Sequence, residues 1–427
     1  MPPSTLPRLD QATLEIAARK HEMFRAARLG GARAVLAYHD LSGLSLVGRD
    51  FSHADLTGCD LMQAAMANSK FDYAIMFGAN MTGCDLHGAS LVRADLRGVC
   101  LRGANLVDAD MTGADLREKL IGFTGEKEAS YASDAKPRPT DTSEADLSGA
   151  NLTQSRLSGI TAINSNFRDA ILKDSTLVHA DLQGANFCGA NLENSDLTKC
   201  DLRGAQFHNA ILVDANLEKA NLQQADLAGA LTNAVAGATL QDLPLSVDAM
   251  LAQHRMWVET NGQKGKQIDI SRFDLRRTTI FRHAKLTMMQ AREAILYGVD
   301  FTESELQAAD FQGADLRSAS FARADLRGSR FQKALFNSAN LQGVRFQPLI
   351  LEEGRVLMTD LTECSFRYAN LSGANLDHVK LTGADLTGAN LVGCDLTDVD
   401  LTGVTLIGAR LTPAQEEVLL KAQVKVR

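Results

Sequence analysis

The chain has 427 residues and a formal net charge of −8, and 45% of its residues are hydrophobic but only 5% are aromatic. This balance excludes an intrinsically disordered chain, and no apolar run reaches the roughly 20 residues of a transmembrane helix. The start lacks the apolar core of a secretory signal, and seven cysteines without CxxC spacing do not indicate a disulfide framework. We therefore expect a cytoplasmic protein whose core uses small and medium-sized side chains.

Residues 1–39 are predicted to form an N-terminal cap built on a helix over residues 10–29. Asp10 is a suitable N-cap residue, and Gly30-Gly31 ends the helical pattern. A partial apolar stripe consists of Ile16, Met23, Phe24 and Ala27. We expect this helix to cover the unpaired edge of the β structure that follows.

A period of five residues begins at residue 40 and continues to residue 117. From Leu41 to Leu116, every fifth residue is Leu, Phe or Met. Ala or Cys commonly lies two residues before these central positions, Asp or Asn one residue before, and Gly two residues after. This period matches neither an α-helix nor a flat strand. It predicts a chain that turns a corner every five residues, with Asp, Asn and Gly supplying the turns.

The same period returns in two further blocks. In residues 145–230 every central position is Leu or Phe except Ala162. In residues 269–411 the register shifts by one residue after Ile280. The motif fades over residues 346–361, which predicts a small loop. Four corners would close a square, so one coil would contain about twenty residues, with coils spaced like strands at about 4.8 Å. Phenylalanines twenty residues apart should then stack in the pairs Phe51–Phe71, Phe167–Phe187, Phe187–Phe207, Phe301–Phe321 and Phe311–Phe331.

The motif Ala-(Asp/Asn)-Leu-x-x is clearest at residues 309–316 and 384–391. It resembles the repeat of the pentapeptide repeat family, and the resemblance extends over most of the chain. It implies an all-β solenoid, a right-handed quadrilateral β-helix, here in three repeat blocks with short capping and inserted α-helices. In such a solenoid each coil contacts only its neighbours.

Three segments interrupt or end the repeats. Residues 118–144 are rich in Lys, Glu, Ser, Thr and Pro, and are predicted to be a loop or linker that either projects from one stack or separates two. Residues 231–268 are predicted to be a helical insertion, with Ser246 as N-cap and Asn261-Gly262 as the end. Its predicted apolar face consists of Val247, Met250, Leu251, His254, Trp257 and Val258. The segment from His254 to Arg276 resembles one that introduces a repeat block in bacterial pentapeptide repeat proteins.

Residues 412–427 are predicted to be a C-terminal capping helix. Thr412, Pro413 and Gln415 form a capping-box pattern. The apolar residues of this helix would either cover the final coil or join two chains into a homodimer; they are Val418, Leu419 and Ala422.

The chemistry-bearing residues are explained by the repeat. Five cysteines occupy the small inward position and should be buried hydrophobes: Cys59, Cys84, Cys200, Cys364 and Cys394. The nine histidines show no metal-ligand spacing, and Asp recurs because the corners favour it. No nucleotide-binding or hydrolase motif is present. We therefore predict no enzyme activity, no cofactor and no metal.

The leading hypothesis is a rod-like protein–protein interaction scaffold, with an unknown protein partner. A basic stretch beside the insertion makes His254, Trp257, Arg272, Arg276 and Arg277 the candidate partner contacts. The alternative, which the resemblance implies, is an acidic DNA mimic that binds a type II topoisomerase. The basic N-terminal helix and basic centre depart from that pattern. Direct nucleic-acid binding and membrane association are not expected, and an enzyme or metal site beside Trp257 is the weakest hypothesis.

Overall fold

The computed structural model describes residues 6–118, 139–396 and 398–421, and the chain divides into two compact units, Met1–Asn233 and Ala234–Arg427. Within the described residues the α-helices are α1 (Gln11–Arg25), α2 (Val247–Glu259) and α3 (Pro413–Lys421). Two 3₁₀ helices in the same residues are Leu240–Asp242 and Glu352–Gly354. The strands β1 (Leu349–Ile350) and β2 (Val356–Leu357) form an antiparallel hairpin. Most other described residues belong to a regular β ladder.

In the first unit, single-residue parallel bridges recur every five residues and join positions twenty apart, as between Asp40 and Asp60. The Leu61 N–H donates to the carbonyl of Asn80 at 2.7 Å, and the Asn80 N–H donates to the carbonyl of Cys59 at 2.9 Å. Each coil therefore bonds to the next through its backbone, as strands do in a sheet. The five-residue period thus forms a β-solenoid.

The corners between bridges show why the motif needs Asp, Asn and Gly. The Thr57 N–H donates to Asp55 Oδ1 at 3.1 Å, so the carboxylate satisfies a backbone donor inside the turn. The next residue, Gly58, has φ +62°, and Gln63 occupies the equivalent position with φ +57°. This left-handed conformation costs Gly little, which explains its recurrence two residues after each central position.

The predicted inward positions form the core. Leu61 and Ala64 are fully buried, as are the equivalent residues of most other coils, and each unit has its own hydrophobic cluster. The central residues Leu217 and Leu222 are only partly buried, and Leu227 is 38% exposed. The predicted Phe stacks are confirmed, with ring centroids 6.0 Å apart for Phe51–Phe71, 4.9 Å for Phe167–Phe187, 5.0 Å for Phe187–Phe207, 4.8 Å for Phe301–Phe321 and 5.1 Å for Phe311–Phe331. Each buried Leu or Phe contributes about 1.5–3 kcal/mol of transfer free energy.

The first two repeat stretches share one ladder. Cys100 bridges to Asp141, although the two residues are separated by much more than one coil. The stack therefore continues past the predicted linker instead of ending there. Residues 119–138 of that linker lie outside the described residues.

In the second unit the ladder contains two departures from the twenty-residue spacing. The bridge between Asp269 and Gln290 contains the predicted one-residue shift, and the bridge from Arg330 to Asp360 spans ten residues more than a normal coil. The β1–β2 hairpin lies in that extra length, where a small loop was predicted.

Helix α1 covers the first coils, but the predicted apolar stripe was wrong. The inward residues are Leu14, Ala18 and His21, whereas Ile16 and Phe24 are 57% and 46% exposed. Hydrogen bonds of the buried histidine fix this orientation, and hydrophobicity alone does not reveal them.

The ends of the helices follow their capping residues. Asp10 Oδ1 accepts the Thr13 N–H at 2.8 Å, as predicted. Helix α1 ends at Arg25 and not at residue 29, because Ala27 adopts φ +52° and the Arg28 N–H donates to the Met23 carbonyl at 2.8 Å.

Helix α3 begins with the predicted capping box: the Thr412 N–H donates to Gln415 Oε1 at 2.8 Å, and the Gln415 N–H donates to Thr412 Oγ1 at 3.3 Å. Gln415 Nε2 also donates to the carbonyls of Leu391 and Cys394 at 2.8 and 3.0 Å, and Leu419 is buried. The helix therefore covers the last coils. Ala422 lies outside the described residues, and pairing of two chains through this helix stays a prediction.

Candidate functional site

Helix α2 precedes the repeats of the second unit and is anchored by a buried histidine. The Ile268 N–H donates to His254 Nδ1 at 3.0 Å, and the imidazole stacks on Trp257 with ring centroids 5.8 Å apart. Desolvation lowers the pKa of His254, which keeps the ring neutral and able to accept this hydrogen bond. His254 therefore joins the helix to the following chain and does not face solvent.

Helix α1 repeats this arrangement in the first unit. The Ala34 N–H donates to His21 Nδ1 at 3.0 Å, His21 Nε2 donates to the Ser52 carbonyl at 3.0 Å, and the ring stacks on Phe51 at 6.0 Å. Desolvation also lowers the pKa of His21. The two units thus each begin with a helix fixed by a neutral, buried histidine, a similarity that the sequence reasoning missed. The shared spacing of His and an aromatic residue three positions later could have indicated it.

The four other predicted contact residues are engaged with different neighbours. Trp257 is partly exposed. Arg272 is exposed, and its Nε donates to Glu293 Oε2 at 2.8 Å. Arg276 is partly buried, and its Nε donates to Asp274 Oδ1 at 2.8 Å. Arg277 is exposed, and its guanidinium lies 5.8 Å from the centroid of the Tyr297 ring. Trp257, Arg272 and Arg277 are thus accessible from solvent, whereas Arg276 mainly neutralises a buried carboxylate.

A small apolar cleft of about 100 Å³, open to solvent, lies beside α2 in the second unit. Leu245, Met250, Ile268 and Phe273 contribute to its apolar wall, and Lys266 also lines it. The cleft is smaller than a typical small-molecule pocket, so it suits a single apolar side chain of a partner protein.

Six corner carboxylates are paired with arginines two residues further along, a pattern that the sequence reasoning also missed. In Asp95-Leu96-Arg97, Arg97 Nε and Nη2 donate to the two carboxylate oxygens at 2.8 and 2.7 Å. The same Asp-Leu-Arg pairing occurs at Asp115–Arg117, Asp201–Arg203, Asp274–Arg276, Asp315–Arg317 and Asp325–Arg327. The recurring Asp residues therefore do not form an uninterrupted negatively charged surface.

The cysteines at the small inward position are buried, as predicted. Cys84 Sγ donates to the Leu61 carbonyl at 2.8 Å, and burial raises the pKa of its thiol to about 12. The other four inward cysteines donate to equivalent carbonyls, and all seven cysteines of the chain are free. A buried neutral thiol is a poor nucleophile.

Among the residues that the structure describes, one group of possible metal ligands is found, and it lies in the second unit. His378 Nδ1 is 2.6 Å from Asp377 Oδ1, and His378 Nε2 is 3.7 Å from Asp398 Oδ2. The sequence reasoning missed this group because it searched for ligands a few residues apart. The coil length of twenty residues is the signal that places positions 378 and 398 together.

No helix among the described residues is both long and apolar enough to cross a membrane.

Comparisons with solved structures return other repeat proteins. Rfr23, a pentapeptide repeat protein of the cyanobacterium Cyanothece 51142, is 31% identical over 31% of this chain and 91% of its own, with a TM-score of 0.27. HetL, a pentapeptide repeat protein of Nostoc sp. strain PCC 7120 involved in heterocyst differentiation regulation, is 20% identical over 91% of this chain and 93% of its own, with a TM-score of 0.18. With such TM-scores these structures do not establish the shape or function of this chain.

A third similar structure is QnrB1, described as a plasmid-mediated fluoroquinolone resistance protein. It is 18% identical over 64% of this chain and 93% of its own, with a TM-score of 0.28. No curated protein matches the sequence.

Family models match most of the repeat-bearing sequence. The model described as pentapeptide repeat region matches residues 150–227. The model described as pentapeptide repeats (8 copies) matches residues 45–83, 79–117, 284–321, 314–347, 358–383 and 380–412. Together with the five-residue ladder of backbone bridges, these matches show that the chain belongs to the pentapeptide repeat family.

Proposed function

We propose that this chain is a non-enzymatic scaffold that binds a protein partner through the surface at the start of the second unit. The observation that carries the proposal is the apolar cleft beside α2, together with the exposed Arg272 and Arg277. Aromatic residues and arginines commonly dominate binding energy at protein interfaces. Trp257, with its ring partly exposed, supplies the aromatic part of this surface.

We also propose a finer architecture for the repeats and their caps. The chain would form a right-handed quadrilateral β-helix in three repeat blocks, residues 40–117, 145–230 and 269–411. Residues 1–39 and 412–427 would cap it, and residues 231–268 would be the insertion that carries the contact surface. The free cysteines support a reducing, cytoplasmic location.

The non-enzymatic character is supported by the state of the titratable groups. The inward cysteines are buried thiols, and the two capping histidines accept backbone hydrogen bonds. The corner carboxylates cap turns or pair with arginines. A general acid or base must instead lie within reach of a substrate.

The alternative, an acidic mimic of DNA that binds a type II topoisomerase, has less support. Such a mimic needs an extended array of uncompensated negative charge. Here the Asp-Leu-Arg pairs neutralise corner carboxylates in both units, as at Asp115 and Asp325. A supercoiling assay with purified gyrase tests this alternative: inhibition or protection at micromolar protein would favour it over the scaffold.

The scaffold proposal predicts a partner whose capture depends on the surface beside α2. The full chain, tagged and cross-linked in cells of its source organism, should enrich at least one protein above a tag-only control. The double variant Arg272→Glu/Arg277→Glu should reduce that enrichment at least about tenfold, because charge reversal at an interface costs several kcal/mol. Quantitative mass spectrometry measures the enrichment.

The matched control is Arg355→Glu, a charge reversal at an exposed residue next to β2. This variant should retain the partner. The proposal fails if no protein exceeds the tag-only control, and the location of the surface is wrong if the double variant captures as much partner as the unchanged chain.

A further inference from the structure

A histidine and two carboxylates converge near the end of the second unit. Positions 378 and 398 differ by the length of one coil, and His378 and Asp398 both have left-handed backbone, with φ +56° and +50°. Asp377 precedes His378 in the chain. One ligand atom from each of the three residues lies within 4.8 Å of the other two. The coil repeat, and not proximity in sequence, brings the third residue to the other two.

Neither carboxylate is compensated by a basic side chain. Among the described residues, Asp377 and Asp398 form their ion pairs only with the histidine between them. His283 provides the contrast, because it also has left-handed backbone (φ +55°) and also contacts a carboxylate, with Nδ1 3.1 Å from Glu303 Oε2. There, however, Arg323 Nε donates to Glu303 Oε1 at 2.8 Å. The positive charge of Arg323 thus already compensates Glu303, so this carboxylate does not need a metal ion.

We propose that Asp377, His378 and Asp398 bind a divalent transition-metal ion, with Zn²⁺ as the best match. Zn²⁺ favours imidazole nitrogen together with carboxylate oxygen, whereas Mg²⁺ and Ca²⁺ favour oxygen ligands alone. The imidazole therefore distinguishes this group from the purely acidic positions of the ladder. Two uncompensated carboxylates also balance the charge of a divalent ion.

The side chains must rotate to hold one ion, because Asp377 now lies at Nδ1 of His378 and Asp398 at Nε2. Zn–N and Zn–O bonds of about 2.0–2.2 Å place tetrahedral ligand atoms about 3.3–3.6 Å apart. The side chains of His378 and Asp398 are 52% and 70% exposed, so they can rotate without disturbing the core. The ion would replace the direct hydrogen bond between His378 and Asp377, and water would complete its coordination.

Isothermal titration of the full chain with ZnCl₂, after removal of metal with a chelator, tests the proposal. We expect one equivalent to bind with micromolar affinity. His378→Ala should abolish this binding, and Asp398→Asn should weaken it at least about tenfold, since even residues that only support a ligand commonly change metal affinity 10–100-fold. All three residues lie outside the hydrophobic core, so the variants should still fold, and melting curves without metal check this.

The matched control is His283→Ala, which removes an exposed histidine from the arginine-occupied corner. This variant should bind Zn²⁺ as tightly as the unchanged chain. The proposal is overturned if no saturable binding occurs, if His378→Ala binds as before, or if His283→Ala weakens binding equally. Because the titration needs no partner protein, its outcome is independent of the scaffold proposal.

Discussion

At the residue scale, the inward position of the repeat is governed by burial and the corner position by backbone conformation. Leu96 is fully buried, whereas Arg93, in the same coil, is exposed with φ +54°. Asp tolerates the left-handed region better than most residues. The same new side chain should therefore have opposite consequences at the two positions.

Leu96→Asp should destabilise the first unit by more than about 4 kcal/mol, because it places an unpaired carboxylate in an apolar core. Arg93→Asp should change the free energy of unfolding by less than about 1 kcal/mol. Circular dichroism during urea unfolding measures both changes. Similar losses in the two variants would contradict the assignment of inward and outward positions.

At the element scale, each unit begins with a helix that depends on a neutral histidine. Folding lowers the pKa of His21 and His254 below the usual 6.5, chiefly through desolvation. The unfolded chain therefore binds protons more readily than the folded caps do, and the stabilising contribution is present above about pH 6.5. It is lost as the pH falls through the lower folded values.

We expect amide exchange in α1 and α2 to accelerate between pH 7 and pH 5 after correction for the intrinsic rate. Helix α3 contains no histidine and serves as the internal control. His21→Asn keeps an acceptor near the position of Nδ1 but cannot titrate, so it should remove the pH response of α1 alone. An unchanged response in this variant would mean that another group controls the cap.

The difference between the ladder and the caps also explains what the sequence could predict. The ladder was predictable because one local pattern repeats with every coil, and most of its central and small positions are buried as that pattern requires. The inward face of α1 was not, because it depends on a hydrogen bond from Ala34 to His21. The proposed metal ligands were missed for a similar reason, since Asp398 approaches His378 only after the coil is closed.

At the scale of the whole molecule, the net charge of −8 coexists with many local ion pairs. Burial would raise the pKa of Asp115 and Asp325, but hydrogen bonds from Arg117 and Arg327 outweigh it and lower both pKa values below the usual 3.8. A carboxylate with a lowered folded pKa stabilises the protein above about pH 4. That contribution is lost as the pH falls through the folded value.

The melting temperature should therefore fall in two stages as the solution is acidified. A small decrease below about pH 6.5 should come from the histidine caps, and a steeper one below about pH 4 from the carboxylates of both units. His21→Asn/His254→Asn should remove only the first stage. Scanning calorimetry from pH 8 to pH 3 measures both.

Arg327→Gln should move the steep stage to higher pH, because its partner Asp325 is almost fully buried, with 3% of its side chain exposed. Arg203→Gln should move it less, since Asp201 is 30% exposed and solvent screens that pair. An equal shift from the two variants would show that burial does not set the strength of these pairs. Absence of any steep stage would show that the ladder does not depend on ionised carboxylates, leaving backbone pairing and apolar burial to stabilise it at every pH.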